Sequence, residues 1–596
     1  MITKDVEKLE LPAKQKLSSE LVILLCMLAF ILIFLVIVAP KQRLAPTPAT
    51  AHIPLGSLLV QAGVWLPNDL HLSLDLHSSQ VRTSNIESLL LIAVAFGVYG
   101  FCALFLHRQC SSKNSTTLLL IWVGAAVAGL FMLFSPSLRS HDIFAYAGFG
   151  RVMVTYHANP YFVTLSEFPR DPIYPLDDYS QYTSAGYGPF WSVICALSVL
   201  FSGAHPLRYI IFFRVLGLAA HLVNILLVAT ILRKMVLSPR TITLGTQLYA
   251  WNPLAVLESS ESGHNDIFMI TFILLGILFA IRAEKSGFAD LRNYLLPIVA
   301  FMLAALVKFT TSALVVLFII ALACYALRPT ASTLIRFREI QSLRWKPALM
   351  TLLSTSVISG IVVLIFYGPF FIGHSLHAIV TALPSPHSVH KSLLNWILQW
   401  SLRHPLLTHS LSQALASLLS NPGLSDAINI VTLAIAIVIG AIWLWKRPTV
   451  RTFILASLVA LGALLVVSAW FAPWYLIWLV ALASVCLPVM HDRIARSLFA
   501  FSLTFSASAF IFYLFDSYPP AGFWTPLNHS LTHGPPLLAF LIFIIGWRSI
   551  NRPVKQLTQD VETVEGRLSA IEGFSPANTT FSTASLSGTD IALPNS

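Results

Sequence analysis

Long apolar runs recur along the chain from residue 21 to residue 547, with little of the polar alternation that marks a one-sided helix. Each run has roughly 17 to 25 residues, the length that a helix needs to cross the hydrocarbon core of a bilayer. A soluble helix would instead show a single apolar stripe. The pattern therefore predicts an all-α polytopic membrane protein, a bundle of about 13 to 15 membrane helices.

Basic residues orient these predicted spans, because Lys and Arg collect in cytoplasmic loops. Residues 1–20 contain four lysines, and the segments 446–451, 491–496 and 548–555 near the other end are also basic. With both ends inside, the third span exits on the outer face at residue 134. The polar stretch 135–186 then forms a large outer loop, and residues 258–266 and 471–474 lie on the same face.

Two apolar segments do not fit simple crossings. An odd number of spans conflicts with two inside termini, so one segment between residues 187 and 232 should be re-entrant or half-crossing, and residues 187–201 are the candidate. The apolar run 295–327 is interrupted at Lys308, which predicts two short helices meeting near the outer face. Lys308 would then lie beside the outer site.

The domain organisation follows from these spans. Residues 1–20 are predicted to be a cytoplasmic N-terminus, and residues 21–550 a single transmembrane domain. Residues 551–596 are rich in Thr, Ser and Gly and have no apolar period, which is typical of a disordered cytoplasmic tail.

Composition excludes some function classes. Hydrophobic residues make up 56% of the 596 residues, charged residues make up 11%, and the net charge is +11. In a membrane protein, an excess of Lys and Arg first indicates which loops lie on the cytoplasmic side. No basic stretch interleaved with aromatics, zinc-finger spacing or phosphate loop indicates nucleic-acid binding. The six cysteines contain no CxxC pair and resemble small buried hydrophobes.

Asp142 follows the third apolar run at the predicted outer boundary. A charge at a bilayer boundary is costly unless it is paired or hydrated, so such residues are functional candidates. Asp142 is therefore the first candidate catalytic residue, with His141 and Tyr146 as neighbouring substrate contacts.

A second polar cluster, residues 258–266, closes one predicted span and opens the next. It supplies Asp266 as a second candidate catalytic carboxylate, and the other polar members as candidate substrate contacts: Glu258, Glu261, His264 and Asn265. The alternative is structural, with Asn265 or Asp266 capping the helix that continues from Ile267. The spacing matches no dedicated zinc site such as HExxH, so no metal ligand is assigned. A loosely held divalent cation remains an alternative.

Several cations lie on the predicted outer side or can reach it, where Lys and Arg are expected to be scarce: Arg139, Arg151, Arg214, Lys308 and His264. An anionic phosphate is the simplest reason for them, and local ion pairs with Asp or Glu are the alternative.

Aromatic residues accompany the same face. Tyr187 precedes Pro189, which suits the first position of a helix. Trp474 and Tyr475 open a later span. Trp474 and Tyr475 are candidates for an aromatic wall that stacks on a sugar ring or a lipid head. The alternative is a belt of aromatic residues at the membrane interface.

An outer carboxylate, phosphate-suited cations and aromatic walls together fit transfer of a sugar from a lipid-linked phosphate donor. The leaving phosphate is already stable as an anion, so one general base is enough. That base removes the proton of the acceptor hydroxyl as it attacks the anomeric carbon, while cations stabilise the departing phosphate. In-line attack predicts inversion, with Asp142 as the base and Asp266 as the other candidate.

Several short motifs resemble, in the same order, those of polyprenol-phosphate-mannose-dependent mannosyltransferases of the GT-C class, and most closely the bacterial α-1,6-mannosyltransferases of cell-envelope lipoglycan synthesis. They are Ser140-His141-Asp142-Ile143-Phe144-Ala145-Tyr146, Gly150-Arg151, Asn159-Pro160-Tyr161, Tyr187-Gly188-Pro189, Asn252-Pro253, Gly263-His264-Asn265-Asp266 and Pro473-Trp474-Tyr475.

The resemblance implies a GT-C bundle with a large outer loop after the third span, in the bacterial cytoplasmic membrane, and an active site that faces outward. It places the base at Asp142 and the family signature at residues 263–266. It implies no required cofactor; the donor is a polyprenyl-phosphate sugar, most simply mannose, and the acceptor a glycan or glycolipid. The insert at 40–87 and the Ser/Thr-rich tail depart from the family.

Other functions fit some of these features. A lipid-linked saccharide transporter or flippase also carries intramembrane charges, although here they cluster at one face. Arabinosyl or glucosyl transfer would use the same class of site, and so would an oligosaccharide ligase with a diphosphate donor.

Overall fold

The computed structural model describes residues 13–42, 79–108, 115–135, 140–288, 291–327, 344–382, 422–467, 471–486, 492–516 and 524–546. Helices dominate these ranges, and no strand occurs within them. Apart from residues 545 and 546, the described residues belong to one unit, which ends at residue 544. The predicted tail and Arg139 lie outside the described residues.

The first nine helices contain the long spans and the short segments between them. They are α1 (Ala13–Gln42), α2 (Ser79–Arg108), α3 (Ser115–Leu133), α4 (Asp142–Val154), α5 (Pro189–Ser202), α6 (Pro206–Lys234), α7 (Pro239–Ala250), α8 (Pro253–Ser260) and α9 (Asn265–Lys285).

The remaining helices are α10 (Leu291–Val307), α11 (Ser312–Ala326), α12 (Trp345–Phe371), α13 (Leu376–Ala382), α14 (Pro422–Lys446), α15 (Val450–Val467), α16 (Leu476–Val485), α17 (Arg493–Ser508), α18 (Phe510–Asp516) and α19 (Trp524–Ile545). Single 3-10 turns precede α11, at Phe309–Thr311, and α16, at Pro473–Tyr475.

The described helices include ten that are long and apolar enough to cross a membrane. Three shorter apolar segments, at Pro189–Ser202, Asn293–Val307 and Pro473–Val485, accompany them. The prediction of an all-α polytopic membrane protein is confirmed.

Helix α5 is a short apolar helix, and its predicted re-entrant or half-crossing course stays a prediction. Its 14 residues span about 21 Å, less than the hydrocarbon core of about 30 Å. At its end, Gly203 lies beside the start of α6. Within the first turns of α6, Arg214 Nη1 donates to the carbonyl oxygen of Ser135, just after the end of α3, at 2.7 Å. Helix α6 then continues to Lys234 at its far end.

The predicted interruption at Lys308 is confirmed. Helix α10 ends at Val307, Lys308 has an extended backbone, and α11 begins at Ser312 after a single 3-10 turn. The gap leaves the lysine between two helix ends instead of on the face of one continuous helix.

The polar stretch after α3 contains helix α4, where the sequence predicted only a loop. Its residues 142–152 are all buried, because α4 packs against α5. Gly150 allows this close approach, since a Cβ there would overlap the backbone oxygen of Cys195. Asp142 is therefore the first residue of a packed helix.

Asn252 separates α7 from α8 and sets the direction of α8. Its Oδ1 accepts hydrogen bonds from the backbone N–H groups of Leu254 and Ala255, as expected of a helix N-cap. Its Nδ2 donates to Ser506 Oγ at 3.0 Å. This double anchor fixes the short helix that carries Glu258.

Candidate active site

Four segments bring the predicted charged residues together in one buried site. Asp142 begins α4, Glu258 lies in α8, and Asp266 lies in the first turn of α9. His264 precedes α9, and Lys308 occupies the gap between α10 and α11. Each of these residues is less than a tenth exposed, and Glu258 and Asp266 are fully buried.

His264 lies between two carboxylates. Its Nδ1 is 3.5 Å from Asp142 Oδ2, and its Nε2 is 3.3 Å from Glu258 Oε2. The ring also stacks on Trp474, with centroids 4.0 Å apart and an interplanar angle of 15°. The imidazole is thus held edge-on by charges and face-on by an aromatic ring.

These contacts set the charge of both partners. Burial alone lowers the pKa of His264, but the contacts with Asp142 and Glu258 outweigh it and raise the pKa to about 9. Burial raises the pKa of Asp142, whereas His264, Ser140 and Lys308 together hold it below its ordinary value. At neutral pH the site therefore contains an imidazolium and an ionised Asp142.

Asp142 is also oriented locally. Ser140 Oγ donates to Asp142 Oδ1 at 2.9 Å, and Tyr146 OH donates to Oδ2 at 3.4 Å. Asp142 is 6% exposed. One carboxylate oxygen thus faces the serine, and the other faces the tyrosine and His264.

Asp266 forms the second charged centre. Its Oδ1 accepts from Lys308 Nζ at 3.0 Å and from Trp478 Nε1 at 2.7 Å, and its Oδ2 lies 3.4 Å from the same ammonium group. The interpretation of Asn265 or Asp266 as a helix cap is wrong. His264 occupies the N-cap position, and no side chain makes a capping hydrogen bond there.

Aromatic rings enclose the ammonium group. Lys308 Nζ lies 3.9 Å from the ring centroid of Tyr475 and 5.3 Å from that of Trp478. Both rings come from the segment that opens with Pro473, as does Trp474 on His264. Trp474 and Tyr475 thus contact the charged residues, and their role as a wall that stacks on a sugar ring or a lipid head stays a prediction.

Tyr146, Tyr187 and Asn265 line the same region. The rings of Tyr146 and Tyr187 meet edge to face, with centroids 5.5 Å apart. Asn265 is 1% exposed, and its side-chain amide has no hydrogen-bond partner within the described part of the chain. A buried amide of this kind is available to a polar ligand.

Other predicted contacts have structural partners. Arg151 Nε pairs with Asp171 Oδ2 at 2.6 Å, and its Nη1 donates to the backbone oxygen of Gly203. The local ion pair is therefore the better interpretation of Arg151.

Arg214 and Glu261 belong to a separate buried network. Arg214 Nε donates to the Glu261 backbone oxygen at 2.7 Å, and Nη1 donates to the backbone oxygens of Leu133 and Ser135. Glu261 Oε1 accepts from Ser135 Oγ at 3.2 Å. This network joins the end of α3 to α6 and the end of α8, and substrate binding by Glu261 stays a prediction.

His141 lies at the edge of the site. Its Nδ1 pairs with Asp178 of the segment between α4 and α5, whose side chain is 68% exposed. His141 thus lies between the buried charges and an exposed carboxylate, and its role as a substrate contact stays a prediction.

Three site residues were missed from the sequence. Ser140, two residues before Asp142, has the spacing of a local side-chain turn and was recognisable. Trp478 lies one helical turn after Trp474, a spacing that places both on one face. Tyr513, which donates to Glu258 Oε1 at 2.6 Å, carries no local signal, because its partner is 255 residues away.

A family model supplies the comparison with known proteins. Residues 47–326 match the alpha-(1->6)-mannopyranosyltransferase family, N-terminal domain. No curated protein and no solved structure gives a significant match. The matched region contains Asp142, Glu258, His264, Asp266 and Lys308, while Trp474, Tyr475, Trp478 and Tyr513, which contact some of these residues, follow it in the chain. The match covers less than half of the chain, and together with the membrane-spanning helical fold it supports a mannosyltransferase of the GT-C class.

Proposed function

We propose that the protein transfers mannose from a polyprenyl-phosphate donor to a hydroxyl group of a cell-envelope glycan or glycolipid, with inversion at the anomeric carbon. The observation that carries this proposal is the single buried site in which an ionised carboxylate, Asp142, lies near the ammonium group of Lys308. The carboxylate can accept a proton, and the ammonium group can bind a phosphate.

Asp142 is the better candidate for the base. Asp266 is fully buried and already accepts hydrogen bonds from Lys308 and Trp478. Asp142 is slightly exposed and begins the helix next to the outer loop. Its contact with Tyr146, at 3.4 Å, is long enough to yield to an acceptor hydroxyl.

In the proposed step, the acceptor O–H proton passes to Asp142 while the acceptor oxygen forms a bond to the anomeric carbon. The bond between that carbon and the phosphate oxygen breaks, and the polyprenyl phosphate leaves with the electron pair. Lys308 stabilises the charge that gathers on the phosphate. Asn265 supplies an amide for a sugar hydroxyl. No resident metal is assigned, and a loosely held divalent cation stays an alternative.

The charge distribution supports an outward-facing site in a bacterial cytoplasmic membrane. Helix α9 starts at the site and ends 21 residues later, about 31 Å away, at Lys285. Lys285 Nζ donates to the backbone oxygen of Lys234, where α6 also ends in basic residues. Because Lys and Arg collect on the cytoplasmic side, the opposite end, with the site, faces outward.

The test is transfer activity of the purified protein with polyprenyl-phosphate mannose, glucose and arabinose, with the product linkage determined. We expect mannose to be transferred, and we expect Asp142→Asn to lower the rate by about 100-fold or more at unchanged protein level, because a general base contributes on that order. Asp266→Asn is the comparison variant, since it makes the same change at the other candidate catalytic carboxylate.

Wild-type activity of Asp142→Asn would refute the base assignment. Preference for glucose or arabinose would refute mannose as the donor sugar. Movement of intact lipid-linked saccharide without a glycosyl product would favour a transporter. The position of the charged groups at one end of the helices, and not through their centres, speaks against transport.

A further inference from the structure

Both carboxylate oxygens of Glu258 lie near protein side chains, and within the described residues Oε1 is the one that makes a hydrogen bond. Its side chain is fully buried in α8. Oε1 accepts from Tyr513 OH at 2.6 Å, and Oε2 faces His264 Nε2 at 3.3 Å. Both oxygens are therefore directed at protein groups, and the predicted role of Glu258 as a substrate contact does not explain this placement.

We propose that Glu258, held by Tyr513, is a positioning residue that acts on the base Asp142 through His264. The inference rests on the proposed function, in which Asp142 is the base. The four side chains form one continuous array from α18 through α8 and the start of α9 to α4. The distances along it are 2.6, 3.3 and 3.5 Å.

The array fixes where the imidazole lies. Asp142 contacts one ring nitrogen and Glu258 the other, so the ring cannot rotate without losing a partner. Trp474 stacks on its face, and Asp266 follows two residues later in the chain. Lys308 is a further cation that acts on Asp142. Without Glu258, Asp142 would be the remaining carboxylate partner of His264 among these groups.

This loss has two consequences. His264 would lose its proton at a lower pH, since one of two stabilising anions is gone. Once neutral, it would no longer hold Asp142 in its present orientation or favour its charge. A displacement of about 1 Å at a reacting group can lower a rate by about 100-fold.

The experiment measures kcat and KM for donor and acceptor from about pH 6 to about pH 10, a range that brackets the titration of His264. Glu258→Gln keeps the size of the side chain and removes its charge. Tyr513→Phe removes the hydroxyl that holds Glu258. The matched controls are Glu284→Gln, a half-buried Glu that accepts from the Val450 backbone, and Tyr99→Phe, a buried Tyr that donates to the Leu248 backbone.

We expect Glu258→Gln to lower kcat by about 10- to 100-fold with little change in either KM, and to move the alkaline limb of the pH profile downward by about one unit or more. Tyr513→Phe should lower kcat by a smaller factor. Both controls should keep wild-type kinetics. A wild-type pH profile in Glu258→Gln, or a rise in KM alone, would overturn the positioning role.

A double-mutant cycle with His264→Gln tests the route of the effect. If Glu258 acts through His264, then Glu258→Gln should have little further effect on kcat in the His264→Gln background. Additive losses would overturn the inference. The result for Asp142→Asn separates the two proposals: an active Asp142→Asn protein refutes the base itself, whereas an inactive one with additive losses refutes only the array.

Discussion

Replacement of Lys308 by Met removes the ammonium group from Asp266 and keeps an unbranched side chain of similar length. Lys308 Nζ lies 3.0 and 3.4 Å from the two oxygens of a fully buried carboxylate. Removing one member of a buried ion pair costs about 3 to 5 kcal/mol of unfolding free energy, because the remaining charge keeps its desolvation penalty. We expect a loss of this size for Lys308→Met.

The double variant Lys308→Met with Asp266→Asn separates stability from activity. It removes both charges, and the amide oxygen that replaces the carboxylate can still accept a hydrogen bond from Trp478, so most of the lost stability should return. Its transfer rate should stay low, because the cation proposed for the donor phosphate is absent. Asp266→Asn alone keeps that cation and is the control for any role of the carboxylate in turnover.

The measurements are denaturant or thermal unfolding in detergent, together with initial transfer rates at varied donor concentration. Wild-type stability of Lys308→Met would refute the ion-pair reasoning. A double variant with wild-type donor KM and rate would refute phosphate binding by Lys308, whatever its stability.

Two further predictions concern His264 and helix packing. The pKa of His264 is about 9, above its ordinary 6.5, so the stability from its two carboxylates is complete below pH 6.5 and is lost as the pH rises through 9. Unfolding measured from about pH 6 to about pH 10 should show this loss in the wild type and not in His264→Gln, and equal profiles would contradict it. At Gly217, a Cβ would overlap the backbone oxygen of Ser259, so Gly217→Ala should lower stability by about 1 to 3 kcal/mol. Gly97, which has open space around it, is the matched control, and equal stability of the two alanine variants would contradict the packing argument.

Hydropathy and charge were enough to predict much of the fold. They indicated the membrane class, the short α5 and the break at Lys308, because length and the cost of burying charge act locally along the chain. Helix α4 was missed, because its residues follow the end of a predicted span, where the sequence predicts a loop. Their burial comes from packing against α5, and no periodicity within the segment indicates that packing.

The sequence predicted which residues belong to the site but not which of them contact each other. Asp142, His264 and Asp266 were placed on one face, yet the partners that define their roles are distant in sequence. Trp478 is 212 residues from Asp266, and Asp171 is 20 residues from Arg151. Such pairs depend on how the helices pack, so one sequence without packing information leaves several partners open for each charge.

The long separation between Asp266 and Trp478 also bears on biosynthesis. A chain is made from its N-terminus, and its early segments enter the membrane before the later ones exist. Asp142, Asp266 and Lys308 are therefore inserted before the ribosome reaches Trp474, Trp478 and Tyr513. A nascent or truncated chain that ends after residue 326 would carry the charged residues without the rings and hydroxyl that hold them. Assembly of the last helices is thus the step that completes the contacts of these charged residues.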